Sequence, residues 1–318
     1  MKLGVCAQAL FDLPFDAALC TARSLGFEAI ELPVHRGNPF VDLEACLADG
    51  GESLAAQVEA AGLTISALSV HQEGQLLLGP YGEAADAVQP GSPAEQSAFA
   101  AHRMVQAAEL ARRLGVRTVC GFTGCADWTR FFPWPLADGW ARMETPFREA
   151  LLPILDAYAA RGVTFAHECH PFQFAYDLES AERAVSLLDG HPAFGFNLDP
   201  ANLAFSEVDP SVFIEHFGAR IVHVHAKDAE RVAHRQGRSG TLAHGAWDRP
   251  GRGFRFRVPG WGDLNWRRIV TSLQLAGYQG VLAVEHEDPT MSRREGLVQA
   301  VRHLAPILLH DLPGGRWW

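Results

Sequence analysis

Glu168, Asp199, His225 and Glu285 each fall at the end of a short apolar run: "GVTFAHE", "FGFNLD", "RIVHVHA" and "VLAVEH". Three carboxylates and one imidazole, with no thiolate, form a ligand sphere for a hard-to-borderline divalent cation. Mn²⁺ is the first expectation, with Mg²⁺, Co²⁺ and Zn²⁺ as alternatives. Taken singly, each of these residues is an ordinary helix cap, surface charge or core histidine. Charged groups enter a buried interior only when paired or metal-bound, so four at one height of four successive strands read as a site. In "IVHVHAKD" the strand period of two puts His223 and His225 on one face. His225 is then the ligand and His223, a layer deeper, its supporting or core partner.

The elements that must position these residues are β-rich runs alternating with amphipathic helical ones. Eight strands are expected, at 2–8, 29–32, 64–70, 116–122, 162–168, 194–199, 220–226 and 281–286. Repeated βα units with no break in composition predict an α/β fold, a (β/α)8 TIM barrel as a single domain over 1–310. An open doubly wound sheet is the lesser alternative, since no glycine-rich phosphate turn follows the first strand. In a barrel, chemistry sits where strands end and βα loops begin. Adjacent strands lie about 4.8 Å apart, so four neighbouring ends can converge on one ion. Long loops are expected at about 72–93 and 229–262, the second a candidate cover, and a C-terminal tail at 311–318.

Composition narrows the class further. The chain has 318 residues, 48% hydrophobic and 20% charged, with a formal net charge of -10, which argues against a nucleic-acid partner. No apolar stretch reaches the roughly 18 residues of a membrane span, and the start lacks a secretory signal, so no membrane partner and a cytoplasmic location are expected. Six scattered cysteines without C-x-x-C spacing predict buried free thiols. The tail "LPGGRWW" suggests packing on a second subunit, in a homo-oligomer such as a dimer or tetramer.

"ECHPFQFAYD", "NLDPANLAF", "RIVHVHAKD", "VPGWGDLNW", "GYQGVLAVEHED" and "EGLVQAVRHL" follow one another in an order and spacing that resembles the xylose isomerase-like barrel superfamily, in its sugar phosphate isomerase/epimerase branch. The resemblance spans most of the chain and is strongest from about 160 to 305. It implies that Glu168, Asp199, His225 and Glu285 bind a divalent metal and that the substrate is a small sugar or sugar derivative. One departure stands out: Asn202 occupies the position where relatives often carry His, and an amide cannot shuttle a proton. The implied chemistry is proton abstraction α to a carbonyl through a cis-enediolate, with Glu168 and Glu285 as acid and base. His170, Asn202, Lys227, His71 and Arg255 are candidate substrate contacts, and Arg252 and Arg257 share with Arg255 the chemistry to hold a phosphate or carboxylate. In "FRFR" alternation places both arginines on one side and both phenylalanines on the other. The competing readings are a metal-dependent β-eliminase of 3-keto sugar glycosides, an apurinic endonuclease and a non-catalytic sugar-binding barrel.

Overall fold

The computed structural model describes residues 1–128, 135 and 137–311. Among the described residues ten strands are present: β1 (Lys2–Cys6), β2 (Ala29–Pro33), β3 (Thr64–Ser69), β4 (Thr118–Gly121), β5 (Thr164–Glu168), β6 (Phe194–Leu198), β7 (Ile221–Ala226), β8 (Asp228–Arg231), β9 (Phe254–Arg257) and β10 (Val281–Val284). Eight of them close a parallel barrel in the order β1-β10-β7-β6-β5-β4-β3-β2, and β8 pairs antiparallel with β9 outside it. The eight expected strands are these eight: β2 extends one residue further, to Pro33, and the other seven are shorter than expected at one or both ends. Asp199 and Glu285 thus stand one residue past their strands, where the βα turns begin.

By internal packing the chain divides into two compact units. One comprises Met1–Glu31, Val58–Ser66 and Leu198–Trp318, the other Leu32–Gln57 and Ala67–Asn197. In the first, β1 runs in register with β10 and β10 with β7, so that Gly4 is level with Ala283 and Ala283 with His225; on its other side Cys6 is level with Glu31 of β2. In the second, β4 lies between β3 and β5, and β5 pairs with β6 so that Glu168 is level with Asn197. Near-continuous apolar runs such as "AIEL" and "FGFNL" suit strands covered on both faces.

The longest helix, Pro93–Arg113, shows how sequence sets these boundaries. Ser92 and Glu95 form a reciprocal capping box, and Pro93 occupies the first turn, where its missing N–H costs nothing. Its buried residues Gln96, Ala100, Arg103, Met104, Ala107, Ala108 and Ala111 recur at three- and four-residue steps, the stripe of a helix lying on a sheet. Arg103 is the one cation in that stripe.

The expected loops contain more structure than their composition indicated. Residues 72–93 carry short helices, His71–Gly74 and Glu83–Val88 among them. Residues 229–262 carry most of the β8–β9 hairpin and the helix Ala233–Ser239. Phe254 and Phe256 pack with Ala201, Ala204 and Ala229 in a small apolar cluster, while Arg257 on the other side pairs with Asp288 at 2.7 Å and with Glu230 at 2.6 Å. The return of the hairpin is tied to buried Asp228, whose carboxylate accepts from the backbone of Gly260 and Leu264 and from Trp266 Nε1. Gly262 passes so close that a Cβ there would lie 2.2 Å from Asp228 Oδ1 and 2.4 Å from the Ala229 carbonyl oxygen. Gly262→Ala is therefore expected to destabilise the protein by about 1–3 kcal/mol, read as a shift of the urea midpoint; an unchanged midpoint would mean the turn relaxes without strain.

The described residues contain no helix long and apolar enough to cross a membrane. Of the six cysteines, Cys6, Cys120, Cys125 and Cys169 are buried, whereas Cys20 is exposed and Cys46 half-buried. Of the expected tail, residues 312–318 lie outside the described residues.

Candidate functional site

In the first unit, Asp199, His225 and Glu285 each turn a potential ligand atom to a common place, all within 4.8 Å of one another. Asp199 is held there by the start of the next helix. Its Oδ1 accepts from the backbone N–H of Ala201 and Asn202 as an N-cap, and Asn202 Nδ2 donates to Oδ2 at 3.0 Å. Asn202 thus serves the carboxylate beside it; buried at 1% exposure, it acts as a tether for Asp199. His225 Nδ1 lies 3.5 Å from Glu285 Oε2.

Lys227 reports on the electrostatics of this place. Its ammonium lies 2.9 Å from Asp199 Oδ2, 2.7 Å from Glu285 Oε2 and 3.0 Å from Glu287 Oε2, and 4.5 Å from the centre of the Phe256 ring. Three carboxylates turned on one nitrogen demand a positive charge, and two of them, Asp199 and Glu285, with the imidazole of His225 are donors that suit a divalent cation. The residues therefore fit a metal ion. Asp199, His225 and Glu285 would hold such an ion, and Glu287, whose side chain is 48% exposed, would remain a partner for Lys227.

Behind His225 lies a second buried group that was not among the expected site residues. Glu31 Oε2 faces His225 Nε2 at 2.8 Å and His223 Nε2 at 2.9 Å, and Cys6 Sγ is 3.8 Å from the same oxygen. Burial opposes ionisation of Glu31, but the two histidines outweigh it and hold the carboxyl well below its usual range. Burial, reinforced by Glu31, pushes the Cys6 thiol well up. The signal was present in "AIEL", where one charge interrupts an apolar strand as the histidines interrupt "IVHVHA".

In the second unit, Glu168 ends β5 with its Oε2 facing His71 Nε2 at 3.0 Å and accepting from Asn197 Nδ2 at 2.7 Å. Two partners on one oxygen fix the orientation of the carboxylate. His71 meets Phe122 edge-on at 4.7 Å, and Phe122 in turn lies 5.2 Å from His170. Phe122 and His170 help to line a cavity of about 260 Å³ with Gln75, Pro80 and Phe172. His170 Nδ1 is 2.7 Å from the Pro171 carbonyl oxygen. One strand position deeper, burial pushes His167 down to about 4, so it is neutral at physiological pH.

The arginines of the hairpin have partners within the protein. Arg255 donates to the Pro250 carbonyl at 2.8 Å, Arg252 donates to the Gly245 carbonyl and lies over the Trp247 ring, and Arg257 has the two carboxylates named above.

The sequence profile of the xylose isomerase-like TIM barrel family matches residues 20–307. Along its length the chain is similar to the uncharacterized protein YfiH of Bacillus subtilis (strain 168), with 25% identity over 329 residues that cover 96% of this chain and 98% of that one. Among solved structures it has the fold of an L-ribulose 3-epimerase, at TM-score 0.65 and 18% identity over 96% of this chain and 94% of that one. It also has the fold of the IolI protein with a bound zinc atom, at TM-score 0.66 and 17% identity over 97% and 98%.

Proposed function

We propose that this chain, which belongs to the xylose isomerase-like TIM barrel family, is a divalent-metal-dependent isomerase or epimerase of a sugar or sugar derivative. One observation carries the reading: Asp199, His225 and Glu285 present ligand atoms within 4.8 Å of one another while three carboxylates surround the Lys227 ammonium. Asp199 and Glu285 are anions at the ends of barrel strands, and such groups are costly to bury without a cation; a divalent ion would supply more charge than the single ammonium of Lys227. We assign Glu168 as the fourth ligand from its place at the end of β5. Mn²⁺ is the ion that oxygen-rich donors with one imidazole suit best.

A divalent cation, when bound, polarises a carbonyl and makes the neighbouring C–H acidic. The protein's own groups then move the proton. Glu285 and Glu168 are the acid/base pair: one takes the proton from the carbon next to the carbonyl, the other returns one. Return to the opposite face of that carbon gives the epimer; return to the adjacent, former carbonyl carbon, with the proton of the neighbouring hydroxyl passing to the former carbonyl oxygen so that the hydroxyl carbon becomes the new carbonyl, exchanges aldose and ketose. His71 steadies Glu168, and Lys227 offers its three donors to a substrate hydroxyl once the carboxylates turn to the ion.

The test is direct. Titration of the metal-free protein with Mn²⁺, followed by the electron paramagnetic resonance of the unbound ion, is expected to show one ion per chain, and Asp199→Ala to remove it. With Mn²⁺ present, a panel of ketoses, sugar phosphates and 3-keto glycosides in D₂O is expected to reveal a substrate that takes up deuterium beside its carbonyl without fragmenting. A native chain that binds no divalent ion would overturn the proposal, and release of an aglycone with formation of an enone would replace it with elimination.

A further inference from the structure

The arrangement around Glu31 bears on which nitrogen of His225 serves the ion. Glu31 is the only charged residue of β2 and is fully buried. One of its oxygens, Oε2, meets two imidazole nitrogens, His225 Nε2 at 2.8 Å and His223 Nε2 at 2.9 Å. A single carboxylate oxygen satisfies two ring nitrogens when both carry hydrogen, since a carboxylic acid has only one proton to give and a carboxylate only accepts. Register supports the geometry: Cys6 of β1 is level with Glu31, and β1 reaches β7 through β10, so Glu31 comes to His225 from the neighbouring side of the barrel interior. The face of the His225 ring away from Glu31 carries Nδ1, on the side of Glu285.

We infer that Glu31 is a positioning residue that keeps the hydrogen of His225 on Nε2 and its ring in place, so that Nδ1 is the nitrogen that ligates the metal ion. The inference rests on His225 being a ligand, as proposed above. Carboxylates that accept the second N–H of a metal-bound histidine set its tautomer and raise its basicity, and their loss commonly weakens metal binding by about 10- to 100-fold. His223 braces the same oxygen from a second direction and limits rotation of the carboxylate. Cys6, 3.8 Å from it, adds only a weak thiol contact.

Two measurements decide it. In the ¹⁵N-labelled metal-free native chain, the His225 ring is expected to show the Nε2-protonated tautomer at neutral pH, with an unprotonated Nδ1 whose resonance is lost on adding Mn²⁺ by paramagnetic broadening ahead of that of Nε2. Glu31→Gln keeps an acceptor oxygen of nearly the same shape but lacks the charge; it is expected to bind Mn²⁺ about 10- to 100-fold more weakly, and Glu31→Asp to fall between that variant and the native chain. An Nδ1-protonated His225 in the native chain overturns the inference whatever the variants do, and so does unchanged Mn²⁺ affinity in a folded Glu31→Gln protein. If the native chain binds no divalent ion, the metal reading fails and this inference with it; if it binds and Glu31→Gln binds equally well, only this inference fails.

Discussion

Glu285→Gln is expected to slow exchange of the substrate's α proton with solvent by at least about 10²- to 10⁴-fold, the usual worth of a positioned acid or base, while the melting transition stays where it was. The amide has the shape of the carboxylate and cannot take up a proton, so the chemical step loses one of its two proton carriers. The fold does not depend on this side chain. Glu285 follows the last residue of β10 and its side chain is 16% exposed, so its replacement leaves no cavity. Lys227 keeps Asp199 at 2.9 Å and Glu287 at 3.0 Å, and no buried charge is stranded. Because Glu285 is also a proposed ligand, the measurement is made at Mn²⁺ concentrations that saturate the variant, so that weaker binding is separated from a lost proton transfer. Glu287→Gln is the matched control: it touches the same ammonium from a half-exposed position and is expected to leave exchange within a few-fold of native. Full exchange activity in saturated Glu285→Gln would remove Glu285 from the acid/base role.

Much of this was legible in the sequence for a physical reason. A parallel barrel buries both faces of its strands, so each strand is a short apolar run, and a charge within or just after one has few explanations. The fold class and the positions of Glu168, Asp199, His225 and Glu285 at strand ends follow from that pattern. Glu31 escaped because "AIEL" is too short to display a period, and a single glutamate there resembles any strand-end charge until His223 and His225 are seen beside it. The amide of Asn202 lies on the Asp199 carboxylate because a helix starts between them, a contact that spacing alone does not display. The pairing of His71 with Glu168 spans 97 residues, and no local pattern encodes a contact of that span. The hairpin β8–β9 was hidden by the glycine- and arginine-rich stretch between its strands, although the alternation in "FRFR" already separated Phe254 and Phe256 from Arg255 and Arg257.

Arg103→Met is expected to cost the protein about 3–5 kcal/mol of stability, the loss that follows when one partner of a buried ion pair is removed. Arg103 lies inside the apolar stripe of the helix Pro93–Arg113 with its side chain 2% exposed, 2.7 Å from Glu73, whose side chain is 1% exposed. It also donates to the Val34 carbonyl at 2.8 Å and reaches Glu44. Methionine fills most of the volume but supplies no donor, so Glu73 would keep only the backbone N–H of Arg36 at 3.0 Å and the half-exposed Arg36 guanidinium at 3.4 Å. The desolvated carboxylate then has too few partners, and that penalty, rather than lost packing, sets the size of the effect. Arg103→Met combined with Glu73→Gln is expected to recover part of the loss, since the stranded charge is gone; a double variant less stable than Arg103→Met alone would show that packing dominates. The consequence reaches the candidate site, because Glu73 belongs to the four-residue helix His71–Gly74 that brings His71 to Glu168. Chemical denaturation gives the stability term. In the folded variant at low temperature, a several-fold fall in proton exchange is expected as His71 loses its fixed place, and native exchange there would show that His71 is held by Phe122 and Glu168 alone.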